Sequence, residues 1–496
     1  MRENSIFANT ITSNFIMSQS TNDIVSKLWN LCNILKDDGV TYHQYVTELT
    51  YLIFLKMAKE TGFESQIPVG NRWDAILEQE DENRLETYKA SLESLKSSSS
   101  RLVSAIFDEA QTFIKKHRSF VILTNEINKL EWYKNEREEL GNIYEGLLEK
   151  NASEKKSGAG QYFTSRPLIN CLVDLMKPSI DDIIQDPAAG TAGFLVAASG
   201  HIKRNTDVGK FTNKEVKKFN HGTFYGMEHV HDTQRLALMN MALHGISKGS
   251  MGVSVLYGDT LSSDGLKLPK ATLVLSNPPF GNKKGGGLPE RPDFSFPTSN
   301  KQLCFLQHIY LGLECGGRAA VVVPDNVLIE SNTGRLIRTE LMDKCRLHTI
   351  LKLPPGIFYA QGVKTSVLFF TRGKLDVGNT KETWIYDLRS NMPLFNKSTL
   401  LEESYFEDFK KAYGDDPWAS PEALQKRIDT GLQGRFRRFD RETIKLRNDN
   451  LNISWLSDES ERSSTEISPL IMIEGIQTEL LAALEDIQTL ISDLTD

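Results

Sequence analysis

The stretch ATLVLSNPPF (271–280) breaks an apolar, β-branched run with Asn277, Pro278, Pro279 and Phe280. The residue types suit an exocyclic amine. Asn277 offers a side-chain carbonyl. Pro278 carries no N–H, so its backbone carbonyl is left as an acceptor, and Pro278 and Pro279 together make the turn rigid. Two acceptors gripping both hydrogens of an –NH₂ draw its lone pair out of ring conjugation and ready it to attack an electrophilic methyl group. Phe280 supplies a face on which a planar base can stack. A plain Pro-Pro turn is the competing reading, but it gives no reason for Asn and Phe to bracket the prolines.

Three further apolar runs end in residues suited to one ligand. DPAAGTAGF carries Asp186, Gly190, Thr191, Ala192 and Gly193, a turn that lets backbone approach a ligand and opens a helix with free N–H groups. Its spacing is not that of a dinucleotide fingerprint, and an ordinary tight strand-to-helix turn would use the same glycines. GMEHV ends in Glu228, placed to accept from the ribose hydroxyls of an adenosine-type cofactor or to cap a helix. GDTL places Asp259 where a carboxylate could accept from an adenine amino group.

These segments need a scaffold that brings strand ends together. From SEKKSGAGQYFTSRP onward, short apolar runs alternate with helical patterns: DDIIQDPAAG, GTFYGMEHV, VSVLYGDTL, ATLVLSNPPF, GGRAAVVVPDNVL, LHTILKLPPGIF and TSVLFFTRG. The alternation predicts a doubly wound α/β domain over 151–375, in which ligands sit beyond the carboxyl ends of the strands. Residues 21–150 read as an all-α domain, with Ile24, Leu28, Leu31 and Leu35, then Tyr45, Leu49, Leu52 and Leu55, at helical spacing. Residues 376–465 read as a mixed region that includes GLQGRFRRFDRETIK, expected to pack on a partner or another domain rather than to read bases. In 466–496, Ile473, Ile476, Leu480, Ala483, Ile487, Leu490 and Leu494 step by alternate threes and fours, a heptad seam for an amphipathic docking helix. Residues 1–20 read as a disordered extension, with Met17 as a second possible start.

The chain has 496 residues, too many for one hydrophobic core. Its net charge is −7, against the basic footprint of a protein that holds nucleic acid unaided. Local basic segments or a partner must then supply any such attraction; Lys283 and Lys284, just past the clamp, and the Lys-rich insert 202–219 are candidates, though solvated loops explain the insert equally well. The five cysteines, Cys32, Cys171, Cys304, Cys315 and Cys345, form no CxxC pair, which points to reduced thiols in a cytoplasmic protein and to no metal site. No apolar run reaches membrane-spanning length.

NPPF together with DPAAGTAGF resembles the S-adenosylmethionine-dependent amino-methyltransferases of nucleic acid. The order GAGQYFTSRPLI, Gly turn, NPPF is similar to that of the γ-class N6-adenine DNA methyltransferases. KSGAGQYFT, TSNKQLCF, GGRAAVVVPDNVL, LMDKC, GIFYAQGVKTSVLFFT, YDLRSNMP and DIVSKLWNLC extend the resemblance, over about 20–460, to the modification subunit of type I restriction-modification systems.

The resemblance implies roles at matching positions. Gln161, Tyr162, Phe163, Thr164, Ser165 and Arg166 would line the methionine side of S-adenosylmethionine. Thr191, Ala192 and Gly193 would face it from the Gly turn, with Gly190 in that turn and Asp186 beneath. Glu228 would hold the ribose and Asp259 the adenine, while Asn277, Pro278, Pro279 and Phe280 would hold an adenine flipped out of double-stranded DNA. Ser165 stands where members of the family often carry Pro. The implied partners are a specificity subunit that reads the sequence, a second copy of this chain, and a restriction subunit that cleaves. Two other functions compete: methylation of protein glutamine side chains, whose enzymes are generally shorter and lack the helical domain, and a catalytically silent scaffold, against which the intact Asn277, Phe280, Glu228 and Gly turn argue.

Overall fold

The computed structural model describes residues 23–31, 34–35, 39, 42–130, 137–154, 164–246, 252–281, 287–358, 363–393, 395 and 399–456. The expectations for 1–20, Gln161 to Phe163, Lys283, Lys284 and the heptad helix 466–496 lie outside these residues.

A single sheet organises the molecule. Its strands are β1 (Ile184–Asp186), β2 (Phe224–Glu228), β3 (Val255–Tyr257), β4 (Ala271–Ser276), β5 (Leu313–Pro324), β6 (Cys345–Lys352), β7 (Thr365–Arg372), β8 (Glu382–Asp387) and β9 (Phe436–Asp440). Their order across the nine-stranded sheet is β3-β2-β1-β4-β5-β7-β6-β8-β9. β1 to β5 are mutually parallel, and β7 runs antiparallel between β5 and β6. The central strands are buried over most of their length because helices cover both faces; the side chains of β1 and those of β4 from Leu273 to Ser276 are all buried. The chain enters at β1 and steps outward to β3. It then returns to β4 on the other side of β1 and steps the opposite way. That reversal opens a crevice between the carboxyl ends of β1 and β4, the place where open α/β sheets bind ligands.

This is the doubly wound α/β architecture the alternation predicts, and each expected strand is present. The expected boundary at 375, however, falls inside the sheet, because β8 pairs with β6 and β9 with β8. FRRFD, expected to face another domain, is the edge strand of this sheet. Arg438 pairs with Glu382 at 2.5 Å, and Arg437 stacks over Phe439 and Trp455 at 5.2 and 5.7 Å. β8 and β9 run antiparallel and are separated by about fifty residues whose described α-helices, Glu407–Tyr413 and Pro421–Leu424, are short, so the strand–helix rhythm that marks the rest of the sheet is lost there.

Among the described residues, 23–154 contain helices and turns but no strand. Their principal helices are α1 (Tyr42–Thr61), α2 (Asp81–Lys96), α3 (Arg101–Phe107), α4 (His117–Lys129) and α5 (Arg137–Glu154). Ser100 caps α3 by accepting from the Val103 N–H. The helices that flank the sheet are α6 (Arg166–Met176), α7 (Gly193–Asn205), α8 (Asn213–His221), α9 (His231–Leu243) and α10 (Lys301–Gly312). The helical region docks on α9. There the Arg235 guanidinium lies 5.2 Å from the Tyr51 ring, the Tyr144 hydroxyl donates to Met239 Sδ at 3.2 Å, and one apolar core runs without a break from Leu28 through Leu148 into Leu168 and Leu195. Gly141 permits the close approach of α5, since a Cβ there would meet the His244 ring at 2.4 Å.

The Lys-rich insert is ordered. A capping box, in which Thr212 and Glu215 satisfy each other's backbone, starts α8. Lys203 donates to the His244 carbonyl and Lys218 to that of Asp181, so these two lysines serve the fold, while Lys214 and Lys217 face solvent.

Candidate active site

The crevice widens into a cavity of about 1170 Å³. Thr164, Arg166, Asp186, Gly190, Thr191, Gly193, Glu228, Asp259, Asn277, Pro279 and Phe280 all line it. The expected residues therefore converge from five separate segments. Ser165, Ala192 and Pro278 are adjacent but are not among its lining residues. Ser165 sits at the N-terminal boundary of α6, and Ala192 at that of α7.

Hydrogen bonds hold the polar group at each strand end, some of them local and some to segments distant in the chain. β1 ends at Asp186, where burial pushes the carboxyl up to about 7; the charge on Glu228 adds to the rise, while the Ser276 hydroxyl and the Ala188 N–H oppose it. Ser276 Oγ donates to Asp186 Oδ1 at 2.7 Å, a bond that crosses the reversal from β4 to β1. The chain then turns through Gly190, whose φ of 52° is left-handed, and through Ala192, held at φ 65° in the same region. Gly190 costs nothing there, whereas Ala192 is a strained position that the surrounding core must hold.

Glu228 ends β2. Its Oε2 accepts from the Gly190 N–H and its Oε1 from the Val230 N–H, both at 2.9 Å, so the carboxylate is fastened to the Gly turn. Burial raises its pKa, and the two amides offset part of that rise. Asp259 follows β3 and accepts the Leu261 N–H at 2.9 Å. Asn277 follows β4 and is 8% exposed; its Nδ2 donates to Thr164 Oγ1 at 2.9 Å, tying the clamp to the loop before α6. The Phe280 ring meets that of Phe358 edge-on, with centroids 6.4 Å apart.

The structure adds residues that sequence patterns did not single out. Helix α5 of the helical region forms one wall through Asn142, Glu145 and Glu149. Glu145 forms an ion pair with Arg166, and burial lowers the Arg166 pKa to about 10. Asn240, fully buried on α9, donates to Glu145 Oε1 at 3.3 Å and to the Thr191 carbonyl at 2.9 Å. GNIYEGLLEK reads as one more amphipathic helix, so only tertiary packing reveals that it faces a ligand cavity. Among the described residues, no group of His, Cys, Asp and Glu is arranged to hold a metal ion, and no helix is long and apolar enough to cross a membrane.

Comparison with known proteins agrees with this geometry. Residues 135–464 match the family model described as N-6 DNA Methylase, and residues 24–130 match that of the HsdM N-terminal domain. The chain is 44% identical to the Type I restriction enzyme EcoKI methylase subunit of Escherichia coli (strain K12), over 96% of both chains. It is 30% identical to the EcoEI methylase subunit of Escherichia coli, over 71% of this chain and 74% of that one. The crystal structure of the EcoKI M protein aligns over 95% of this chain and 96% of its own, with a TM-score of 0.56 and 40% identity. A structure described as the basis of complex assembly and conformational transition of the type I R-M system aligns over 94% of this chain and 98% of its own, with a TM-score of 0.70 and 25% identity.

Proposed function

Because the chain belongs to the N-6 DNA methylase family, and within it to the methylase subunits of type I restriction-modification systems, it is an adenine-specific DNA methyltransferase, and we propose that S-adenosylmethionine is its methyl donor and that a separate specificity subunit chooses its site. The observation that carries this reading is that the Asn277–Phe280 clamp shares one cavity with Glu228 and Asp259.

The residues present fit the donor. Glu228 and Asp259, on neighbouring strand ends, are acceptors for the ribose hydroxyls and for the adenine amino group. Thr164 and Arg166, which line the cavity, would enclose the methionine end. Thr191, Ala192 and Gly193 bring backbone close, and the carboxylates of Asp186 and Glu228 suit a cationic sulfonium. When bound, the cofactor supplies an electrophilic methyl group.

The chain's own residues prepare the acceptor. The target adenine leaves the duplex at a cost of about a few kcal/mol of unstacking. Stacking on Phe280 returns roughly 1–3 kcal/mol of it. Asn277 and the Pro278 carbonyl accept from the two N6 hydrogens, and Pro279 keeps the turn stiff. The amine lone pair is thereby localised and aimed, and the rate gain comes from orientation and polarisation.

The net charge of −7 supports a division of labour in which DNA is read elsewhere. The natural assembly is then two copies of this chain on one specificity subunit, with a restriction subunit joining for cleavage, in the cytoplasm. The test is transfer of labelled methyl from S-adenosylmethionine to DNA, with and without the co-encoded specificity subunit. Label on adenine N6 only with the partner present is expected; label on protein glutamine, or none with cofactor bound, overturns the reading.

A further inference from the structure

The arch 287–300 joins the clamp to α10, and it holds a buried cation that is not itself among the residues lining the cavity. Arg291 is 7% exposed. Its Nε and Nη2 donate to the Asp293 carboxylate at 2.7 and 2.6 Å. Its Nη1 donates to the Thr260 carbonyl at 2.7 Å and meets His308 Nδ1 at 2.9 Å. The guanidinium lies 4.4 Å from the centroid of the Phe294 ring. Burial, with Arg291 beside it, lowers the His308 pKa to about 3, so the imidazole is neutral and its Nδ1 accepts.

The contacts of this one side chain join three walls. Thr260 follows Asp259 directly, and its hydroxyl reaches back to the Pro187 carbonyl beside Asp186. His308 lies on α10, whose Lys301 and Phe305 line the cavity, and the Lys301 N–H donates to the Gly281 carbonyl just past the clamp. Beneath them Leu261, Phe294, Cys304 and Phe305 form a small core separate from the main ones. Gly265 makes room for the arrangement: a Cβ there would stand 2.1 Å from the Thr260 carbonyl oxygen and 2.6 Å from Arg291 Nη1. So many bonds on one buried cation are more than is needed to close a surface loop. The guanidinium makes four hydrogen bonds here, two to the carboxylate and one each to the carbonyl and the imidazole, one more than the three donors of an ammonium can supply.

We propose that Arg291 is a positioning residue for the methyl-donor pocket, fixing the Asp259–Thr260 turn against α10 so that Asp259 and Phe305 stand at a set separation. The inference rests on the reading of Asp259 as a cofactor contact. Arg291 touches neither donor nor target base; it acts through the Thr260 carbonyl.

The test uses the full chain, S-adenosylmethionine as titrant in calorimetry, and methyl transfer by its complex with the specificity subunit. Arg291→Lys is expected to weaken S-adenosylmethionine binding about tenfold and to raise its KM equally, with kcat at saturating donor within about threefold of wild type. A merely structural role would lower active fraction and kcat and leave KM unmoved, which overturns the proposal. Asp259→Ala should weaken binding by a similar factor, and the Asp259→Ala/Arg291→Lys double variant should be no weaker than Asp259→Ala alone. Additive losses overturn the proposal. Unchanged affinity in Arg291→Lys beside weakened Asp259→Ala overturns it while sparing the cofactor reading; unchanged affinity in Asp259→Ala overturns both. Should Arg291→Lys fail to fold, His308→Leu, which removes one partner of the fork, is expected to raise KM about threefold at constant kcat, and an unmoved KM there counts against the proposal.

Discussion

Glu48 in the helical region and Asp186 at the end of β1 are buried to nearly the same degree, 0% and 2% exposed, and burial pushes both carboxyls up to about 7. Their surroundings differ. Glu48 accepts from the Thr112 hydroxyl at 2.7 Å and the Phe113 N–H at 2.9 Å, two neighbours on one loop, and is not among the residues that line the cavity. Asp186 accepts from Ser276 at the end of β4 and from Ala188 in the Gly turn, feels the charge of Glu228 at the end of β2, and lines the cavity. Burial is the largest cause of both shifts, so a raised carboxyl does not by itself mark the site. What distinguishes the site is that several strand ends meet at it.

The sharpest way to break this comparison is to remove one group from each region. Asn277→Ala should cut methyl transfer by about 10²–10³-fold, the usual cost of one preorganised hydrogen-bonding group, while S-adenosylmethionine binding measured by calorimetry stays within about threefold. Glu48→Gln should leave kcat within about threefold and lower the thermal midpoint instead. A Glu48→Gln enzyme as slow as Asn277→Ala would erase the distinction.

Phe280→Ala comes next. Loss of about 1–3 kcal/mol of base stacking predicts a roughly 5–150-fold drop in kcat/KM for DNA with donor affinity retained. Equal loss of donor binding would make Phe280 a packing residue beside Phe358 rather than a shelf for the base. Glu228→Gln should act the other way round: about tenfold weaker S-adenosylmethionine binding, from one charge-assisted bond weakened, with transfer near normal at saturating donor.

Much of the crevice was legible from sequence for a stated reason. Asp186, Glu228, Asp259 and Asn277 each terminate an apolar run, and strand ends in a doubly wound sheet must point the same way. Glu145, Asn240 and Arg291 were not legible, because each acts across elements far apart in the chain. Glu145 lies on an ordinary-looking amphipathic helix, Asn240 on a helix whose docking partner is non-local, and Arg291 in a polar stretch that reads as loop. β8 and β9 escaped because their pairing, not their pattern, makes them part of the sheet. The bond from Asn277 to Thr164 shows the same limit: both residues were expected at the site, but only the fold brings them within 2.9 Å.

The smallest effect is the one that separates the two carboxylates most directly. Both are raised in the folded state above the ordinary range of about 4, so the folded protein binds more protons than the unfolded chain between about pH 4 and pH 7. Stability contributed by the protonated carboxyls is fully present below about pH 4 and is lost as pH rises to about 7, beyond which it is level. Urea unfolding at intervals across that window should show the decline in wild type, and Glu48→Gln and Asp186→Asn should each remove part of it. Saturating S-adenosylmethionine should then tell them apart. A cation held beside Asp186 favours its ionised form and lowers its pKa, so the Asp186 share of the decline should shrink. The Glu48 share, walled off in the helical region, should not. If the donor flattened the decline equally in Asp186→Asn and wild type, the carboxylate at the end of β1 would be no closer to the ligand than its counterpart in the helices.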